Sequence, residues 1–217
     1  MGFVLGLQHA IEADHLAAVS TIVSEKKGLL SASIVGGFWG LGHSISLFVV
    51  GAAVLLLKVQ ISETTEARLE AIVGGMLVLL GLNAIRKLFS AEKFHVHTHE
   101  HGTREHLHIH SHKKEETGSH HRFSPRSILI GMVHGLAGSA ALMLLILPTI
   151  PSTTVALGYI LIFGLGSIGG MMIMSFVVGL PFHFTAGRFS VLNKIIRISA
   201  GLFSLVLGIM IILEKLA

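Results

Sequence analysis

The stretch "GLQHAIEADHLAAV", residues 6–19, sets His9, Glu12, Asp14 and His15 inside a segment that is otherwise apolar. Ionisable groups are costly there: one charge at the centre of a bilayer costs from about 2.5 kcal/mol on insertion scales to over 10 in simulations. No Lys or Arg in the same segment can pair with the two acids. Imidazole with carboxylate is a ligand set for borderline divalent metals such as Ni²⁺, Co²⁺, Zn²⁺ or Cu²⁺. A bound cation would offset the desolvation of the acids. The competing reading, protonated acids and histidines hydrogen-bonded between helices, suits a lone intramembrane histidine better than four such groups in a short run.

At about 100° per residue, His9, Glu12 and His15 fall within roughly 120° of one helical face, and Asp14 projects from nearly the opposite side of His9. Either a regular helix offers the first three to one ligand and sends Asp14 to a neighbour, or the helix is locally unwound and all four converge. The spacing allows both. His43, in "GFWGLGHSIS", lies deep in the next apolar segment among small residues that admit another backbone. It can complete a site with the first segment or make an interhelical hydrogen bond. His134 opens "HGLAGSAAL", in which Ser139 is polar but not acidic, and is a candidate for a secondary metal or pathway position together with Ser139.

The elements that must position these residues are membrane helices. The chain of 217 residues is 52% hydrophobic and 13% charged, about half the charged share of a soluble domain, and its mean hydropathy is +0.76. Residues 127–187 contain no Asp, Glu, Lys or Arg, room for two spans of about 20 residues. Six apolar segments follow, at 2–23, 29–57, 67–88, 127–147, 153–181 and 195–213. The expected fold is an all-α integral membrane protein. Pro148 and Pro151 break the fourth segment into a tight hairpin, and Pro181 with Gly187 ends the fifth. Residues 1–23 lack a basic leader region and read as a retained helix, not a cleaved signal. There is no cysteine, which excludes disulfides, thiolate metal sites and thiol redox chemistry. The net charge of +4 sits in links beside apolar spans, so it orients the chain in a bilayer; nucleic acid is not an expected partner.

Links between segments one and two, three and four, and five and six carry 2, 8 and 3 basic residues; the other links and the C-terminus carry 2, 0 and 1. The positive-inside rule then makes the first set cytoplasmic and both termini external. A repeat underlies the pattern. "GLQH" at 6–9 recurs as "GMVH" at 131–134, "GLG" at 40–42 as "GLG" at 164–166, and Gly74 and Gly81 as Gly201 and Gly208. Two units of three helices must run in opposite senses, since three is odd. Such 3+3 inverted repeats are typical of secondary transporters, with the site near the midplane between halves. His134 is the repeat mate of His9, while Ser139 stands where the first half has Asp14, so any site is asymmetric. The expected units are residues 1–89, a first repeat carrying the site; 90–126, a histidine-rich cytoplasmic loop; and 127–217, the second repeat.

That loop holds ten of the fifteen histidines. His95, His97, His99, His101, His106, His108, His110 and His112 alternate with other residues, many of them polar or charged. So few apolar residues build no core, and disorder is expected. Such tracts bind several metal ions weakly and exchangeably, which suits a metal buffer better than a conducting site.

These residues resemble the nickel/cobalt transporter superfamily. Its signature, His then four residues then Asp-His, stands here as His9, "AIEA", Asp14 and His15, with Glu12 where the family often has Asp. Its second element stands as Leu41, Gly42, His43 and Ser44. A strongly acidic later motif is absent, replaced by "HGLAGSAAL"; with six helices and a histidine-rich loop, this resembles the urease-accessory, UreH-like nickel permease branch. The resemblance covers almost the whole chain. It implies that His9, Glu12, Asp14, His15 and His43 bind and select the metal during transport across the cytoplasmic membrane. It implies uptake of Ni²⁺ or Co²⁺ as substrate, with Zn²⁺ as a further candidate, no permanently bound cofactor, and cytoplasmic metallochaperones or urease accessory proteins as partners. No Walker motif is present, so ATP hydrolysis is not expected in this chain. A metal exporter and a metal-sensing accessory protein are the alternatives. An intramembrane metalloenzyme is weaker, because "HAIEADH" lacks the HExxH spacing, and no enzyme activity is expected.

Overall fold

A computed structural model describes the chain except residues 27, 59–60, 91–94, 102–103, 111–124, 147–149, 151 and 217; at 90, 95–101, 104–110 and 138–146 it describes the backbone alone. The elements are α1 (Gly2–His9), α2 (Ala13–Val23), α3 (Leu29–Leu57), α4 (Glu63–Ser90), β1 (His95–His101), β2 (Arg104–His110), α5 (Pro125–Ile146), α6 (Thr153–Thr185) and α7 (Ser190–Leu216). Among the described residues, four helices are long and apolar enough to cross a membrane: α3, α4 over Glu63–Phe89, α6 and α7. Large apolar side chains such as Leu30, Leu79, Leu165 and Val191 lie exposed on their outer faces, as a lipid-facing surface requires.

The first apolar segment is two helices. After α1 the chain makes tight turns, Ile11 N–H to Gln8 O at 2.9 Å and Glu12 N–H to His9 O at 3.2 Å. Glu12 then becomes extended (φ −60°, ψ 149°) before α2 begins. Neither Gly nor Pro stands between His9 and Ala13. Of the two conformations compatible with the spacing, the unwound one is adopted.

Other ends follow local chemistry. Ser62 opens α4: its Oγ accepts the Thr65 N–H at 3.3 Å, and Glu63 and Glu66 occupy the first turn, where the helix dipole favours acids. The helix therefore starts four residues before the apolar pattern does. Pro181 does not end α6, which continues to Thr185. Asn193 of α7 donates its amide to Phe182 O at 3.1 Å and Thr185 Oγ1 at 2.8 Å, satisfying carbonyl and hydroxyl oxygens at the helix end. The expected hairpin at Pro148 and Pro151 lies outside the described residues. In the histidine-rich link, β1 and β2 pair antiparallel with His95 opposite His110, His97 opposite His108 and His99 opposite His106. A lone two-stranded ribbon is marginal in water.

Glycines set the helix crossings. A Cβ on Gly81 of α4 would stand 2.5 Å from the Gly201 carbonyl oxygen of α7, and one on Gly208 of α7 would stand 2.5 Å from that of Gly74. Gly6 faces the Phe163 carbonyl and Gly166 the Phe3 carbonyl where α1 crosses α6; Gly131 faces the Trp39 carbonyl and Gly42 the Ile128 carbonyl where α5 crosses α3. At such contacts any side chain would force the backbones apart. Trp39, Leu77, Met171, Ala17 and Ala18 fill the core between the helices.

Candidate metal centre

The break between α1 and α2 turns the end of one short helix and the start of the next toward the middle of α3 and α5. His9 closes α1, His15 lies in the first turn of α2, His43 is midway along α3, and His134 lies on α5. All four rings are buried; His43 and His134 are 0% exposed. Ring centroids are 4.4 Å apart for His9 and His15, 5.0 Å for His9 and His43, and 4.2 Å for His15 and His134. The close approach of α5 is possible because Gly135 packs on the His43 carbonyl.

The carboxylates fix the rings. Glu12 Oε1 accepts from His9 Nδ1 at 2.7 Å. Asp14 Oδ1 accepts from His15 Nδ1 and from the His15 backbone N–H, both at 2.8 Å, while its Oδ2 accepts from His134 Nε2 at 2.8 Å. A carboxylate can only accept, so in the neutral rings the opposite nitrogens keep their lone pairs: Nε2 of His9, Nε2 of His15 and Nδ1 of His134. His9 Nε2 lies 3.2 Å from His43 Nε2. Among the described residues, His15 Nε2, His43 Nδ1 and His134 Nδ1 are buried with no hydrogen-bond partner. Such buried orphans are rare in folded proteins.

Two groups have ligand atoms all within 4.8 Å of one another: His9, His15 and His43, and Asp14, His15 and His134. They share His15. Every first-half residue singled out in the sequence is therefore in one place, with the carboxylates of Glu12 and Asp14 hydrogen-bonded to histidines. His134 joins the same cluster through Asp14, and its repeat relation to His9 is the sequence signal for it. Ser139 falls within α5, where only the backbone is described. His112 lies outside the described residues; of the other loop histidines the structure gives strand positions only. Sequence reasoning missed the aromatic wall: Trp39 has its ring centroid 5.4 Å from His15 and 5.5 Å from His134, and Phe163 5.5 Å from His9.

A cavity of about 220 Å³ opens beside the cluster, lined by Glu12, Asp14, Glu70, Ile211 and Lys215 among others. The Glu12 side chain is 53% and that of Asp14 24% exposed, so both acids face it while the imidazoles stay behind them.

Comparison with known proteins identifies the family. The family described as NicO, high-affinity nickel-transport protein, matches residues 1–140. The chain is 40% identical over 211 residues to the urease accessory protein UreH of Bacillus sp. (strain TB-90), covering 96% of this chain and 87% of that one. It is 28% identical over 175 residues to the chloroplast protein FOR GROWTH AND FERTILITY 2 of Arabidopsis thaliana, covering 78% of this chain and 44% of that one. No solved structure matches the chain. The match over more than half the chain, together with the Bacillus relative, shows that the chain belongs to the NicO family of high-affinity nickel-transport proteins.

Proposed function

We propose that this chain imports Ni²⁺, with Co²⁺ as a second cargo, across the cytoplasmic membrane, and that His9, His15 and His43 hold the ion in transit. The observation that carries this reading is the broken first segment, which brings three buried imidazoles to within ligand distance of one another. Nε2 of His9 and Nε2 of His15 are the lone pairs left once Glu12 and Asp14 take the Nδ1 protons. Carboxylates bonded to the far nitrogen of a metal-binding histidine fix its tautomer and raise its basicity. Glu12 and Asp14 act here in that way, within reach of the ion through the cavity. Imidazole nitrogen suits nickel, cobalt and zinc alike, so family membership supplies the choice of nickel.

The transport path runs through six spans: α1 with α2, then α3, α4, α5, α6 and α7, arranged as a 3+3 inverted repeat. The support is a pattern of contacts that survives exchange of the halves. Gly74 on Gly208 exchanges with Gly201 on Gly81, and the α1–α6 crossing exchanges with the α5–α3 crossing. The broken α1–α2 span then ends near the midplane, as in other transporters with discontinuous helices. The positive-inside rule supports a cytoplasmic histidine-rich loop, which buffers arriving metal, and external termini. The Bacillus relative is named for urease. By that likeness the nickel supplies a nickel enzyme such as urease, handed on by metallochaperones or urease accessory proteins.

The test is accumulation of labelled Ni²⁺ in cells expressing the intact chain, beside His15→Ala at equal membrane level. Uptake above the empty control, abolished by the substitution, is expected. Accumulation below the control would make the chain an exporter with the loop as collector. No change from either protein would remove nickel as the cargo.

A further inference from the structure

Resting on the reading above, we infer that the Glu70–Lys215 ion pair is a charge filter at the mouth of the metal's path, where an incoming divalent cation displaces the Lys215 ammonium from Glu70. Lys215 Nζ lies 2.7 Å from Glu70 Oε2. Both side chains line the same cavity as Glu12 and Asp14. The cavity thus joins the carboxylates that hold the histidines to a third carboxylate nearer the ends of α4 and α7. Its charged lining is three acids against one base.

A simple tether between α4 and α7 does not explain the pair. Those helices are already locked by glycine contacts at Gly74–Gly208 and Gly81–Gly201, and the pair is partly exposed, with side chains 34% and 22% accessible. Partly exposed pairs of that kind contribute little to stability. Nor does the repeat preserve it. The offset of 127 that relates Gly74 to Gly201 carries Glu70 to Arg197, each four residues before its glycine. An acid at this mouth is matched by a base at the equivalent place in the other half, so the attraction for cations is one-sided.

The chemistry follows from charge. Lys215 presents a single positive charge to Glu70. A monovalent ion that replaced it would gain nothing in Coulomb energy, whereas a divalent ion at the same distance interacts twice as strongly. The lysine therefore leaves the mouth closed to Na⁺ or K⁺ and yields to Ni²⁺. Once past Glu70, the ion meets Asp14 and Glu12 and then the imidazole nitrogens behind them.

Trp39 is the only tryptophan in the chain and lies against His15 and His134, so Ni²⁺ reaching the centre quenches it. The experiment is stopped-flow mixing of the purified full chain in lipid nanodiscs with Ni²⁺, following Trp39 fluorescence. Lys215→Gln is expected to speed association about two- to fivefold, the range a partly exposed charge supplies, and Glu70→Gln to slow it by a similar factor. Glu70→Asp, which keeps the carboxylate, should stay closer to the intact chain and serves if Glu70→Gln fails to fold. With Lys215→Gln, replacing choline by Na⁺ at constant ionic strength should slow association; in the intact chain it should not. Rates that move in the same direction in both variants, or match the intact chain, overturn the filter. Absence of quenching in the intact chain, with His15→Ala as the reference for none, would instead defeat the metal centre itself, and the filter with it.

Discussion

Replacing Asp14 separates a carboxylate that orients histidines from one that binds the metal itself. Asp14 accepts three hydrogen bonds, two at Oδ1 from the His15 ring and backbone and one at Oδ2 from His134. An asparagine has one acceptor oxygen and an amide nitrogen that can only donate. Its oxygen belongs on the His15 side, where it satisfies two donors. The amide nitrogen then faces His134 Nε2, which must give up its proton and carry it on Nδ1. His15 keeps its tautomer, and its Nε2 lone pair stays available to the ion.

Loss of a group that orients a metal ligand costs about tenfold to a hundredfold in affinity, or about 1.4 to 2.7 kcal/mol. Asp14→Asn should fall at the lower end and Asp14→Ala, which leaves the His15 Nδ1 unpartnered, at the upper end. Because His134 carries the tautomer conflict in Asp14→Asn, adding His134→Ala should cost less there than in the intact chain. The assay is equilibrium titration of Trp39 quenching by Ni²⁺ for the singles and the double. If Asp14 coordinated the metal directly, the two single substitutions would be nearly equal, since an amide oxygen is a poor replacement for an anionic ligand. Equal losses, or Asp14→Ala within twofold of the intact chain, would refute the orienting role.

The glycine contacts have their own test: Gly81→Val and Gly208→Val should each destabilise the detergent-solubilised chain by about 1–3 kcal/mol through overpacking, and by similar amounts because the repeat exchanges the two sites. Gly75→Ala, whose added Cβ meets nothing within 4 Å, should leave the thermal midpoint unchanged or slightly higher. Asn193→Ala, which removes the amide from the end of α6, should cost about 1 kcal/mol on the same scale. Deleting residues 95–121 should lower the number of Ni²⁺ ions bound per chain in equilibrium dialysis while leaving Trp39 quenching intact; loss of the quenching signal would place the loop in the centre.

The cluster of ionisable side chains was legible because such groups inside an apolar segment are conspicuous, and the crossings because the glycines recur at nearly constant offsets. The choice between a regular and a locally unwound first segment was not. "HAIEA" contains no Gly or Pro, and Ala and Glu are good helix formers. What holds the turn open is Glu12 reaching back to His9 and Asp14 meeting His134, 120 residues away. The spacing left open a regular helix, with Asp14 meeting a neighbour, and an unwound one, with all four groups converging; the structure has the break and also has Asp14 meeting His134 of a neighbouring helix. The end of α6 was hidden for the same reason, since the residue that satisfies it, Asn193, belongs to the next helix.

If the proposed 3+3 repeat holds, a near-symmetric scaffold carries a one-sided site. The glycine contacts exchange between halves, yet the chemistry does not. The repeat mate of His43 is Ser167, offset by the same 124 residues as the "GLG" pair, and its hydroxyl donates to Phe163 O within its own helix. The mate of His9 is His134, but α5 runs from Pro125 to Ile146 without interruption, and among the described residues the second half brings that ring alone to the metal-ligand groups. An unbroken helix sends its neighbouring side chains around the cylinder; a broken one can aim the end of α1 and the start of α2 at the same point. The acidic pair and the break therefore belong together. A second-half helix that regained the acids at 137 and 139 without unwinding would still not rebuild the centre.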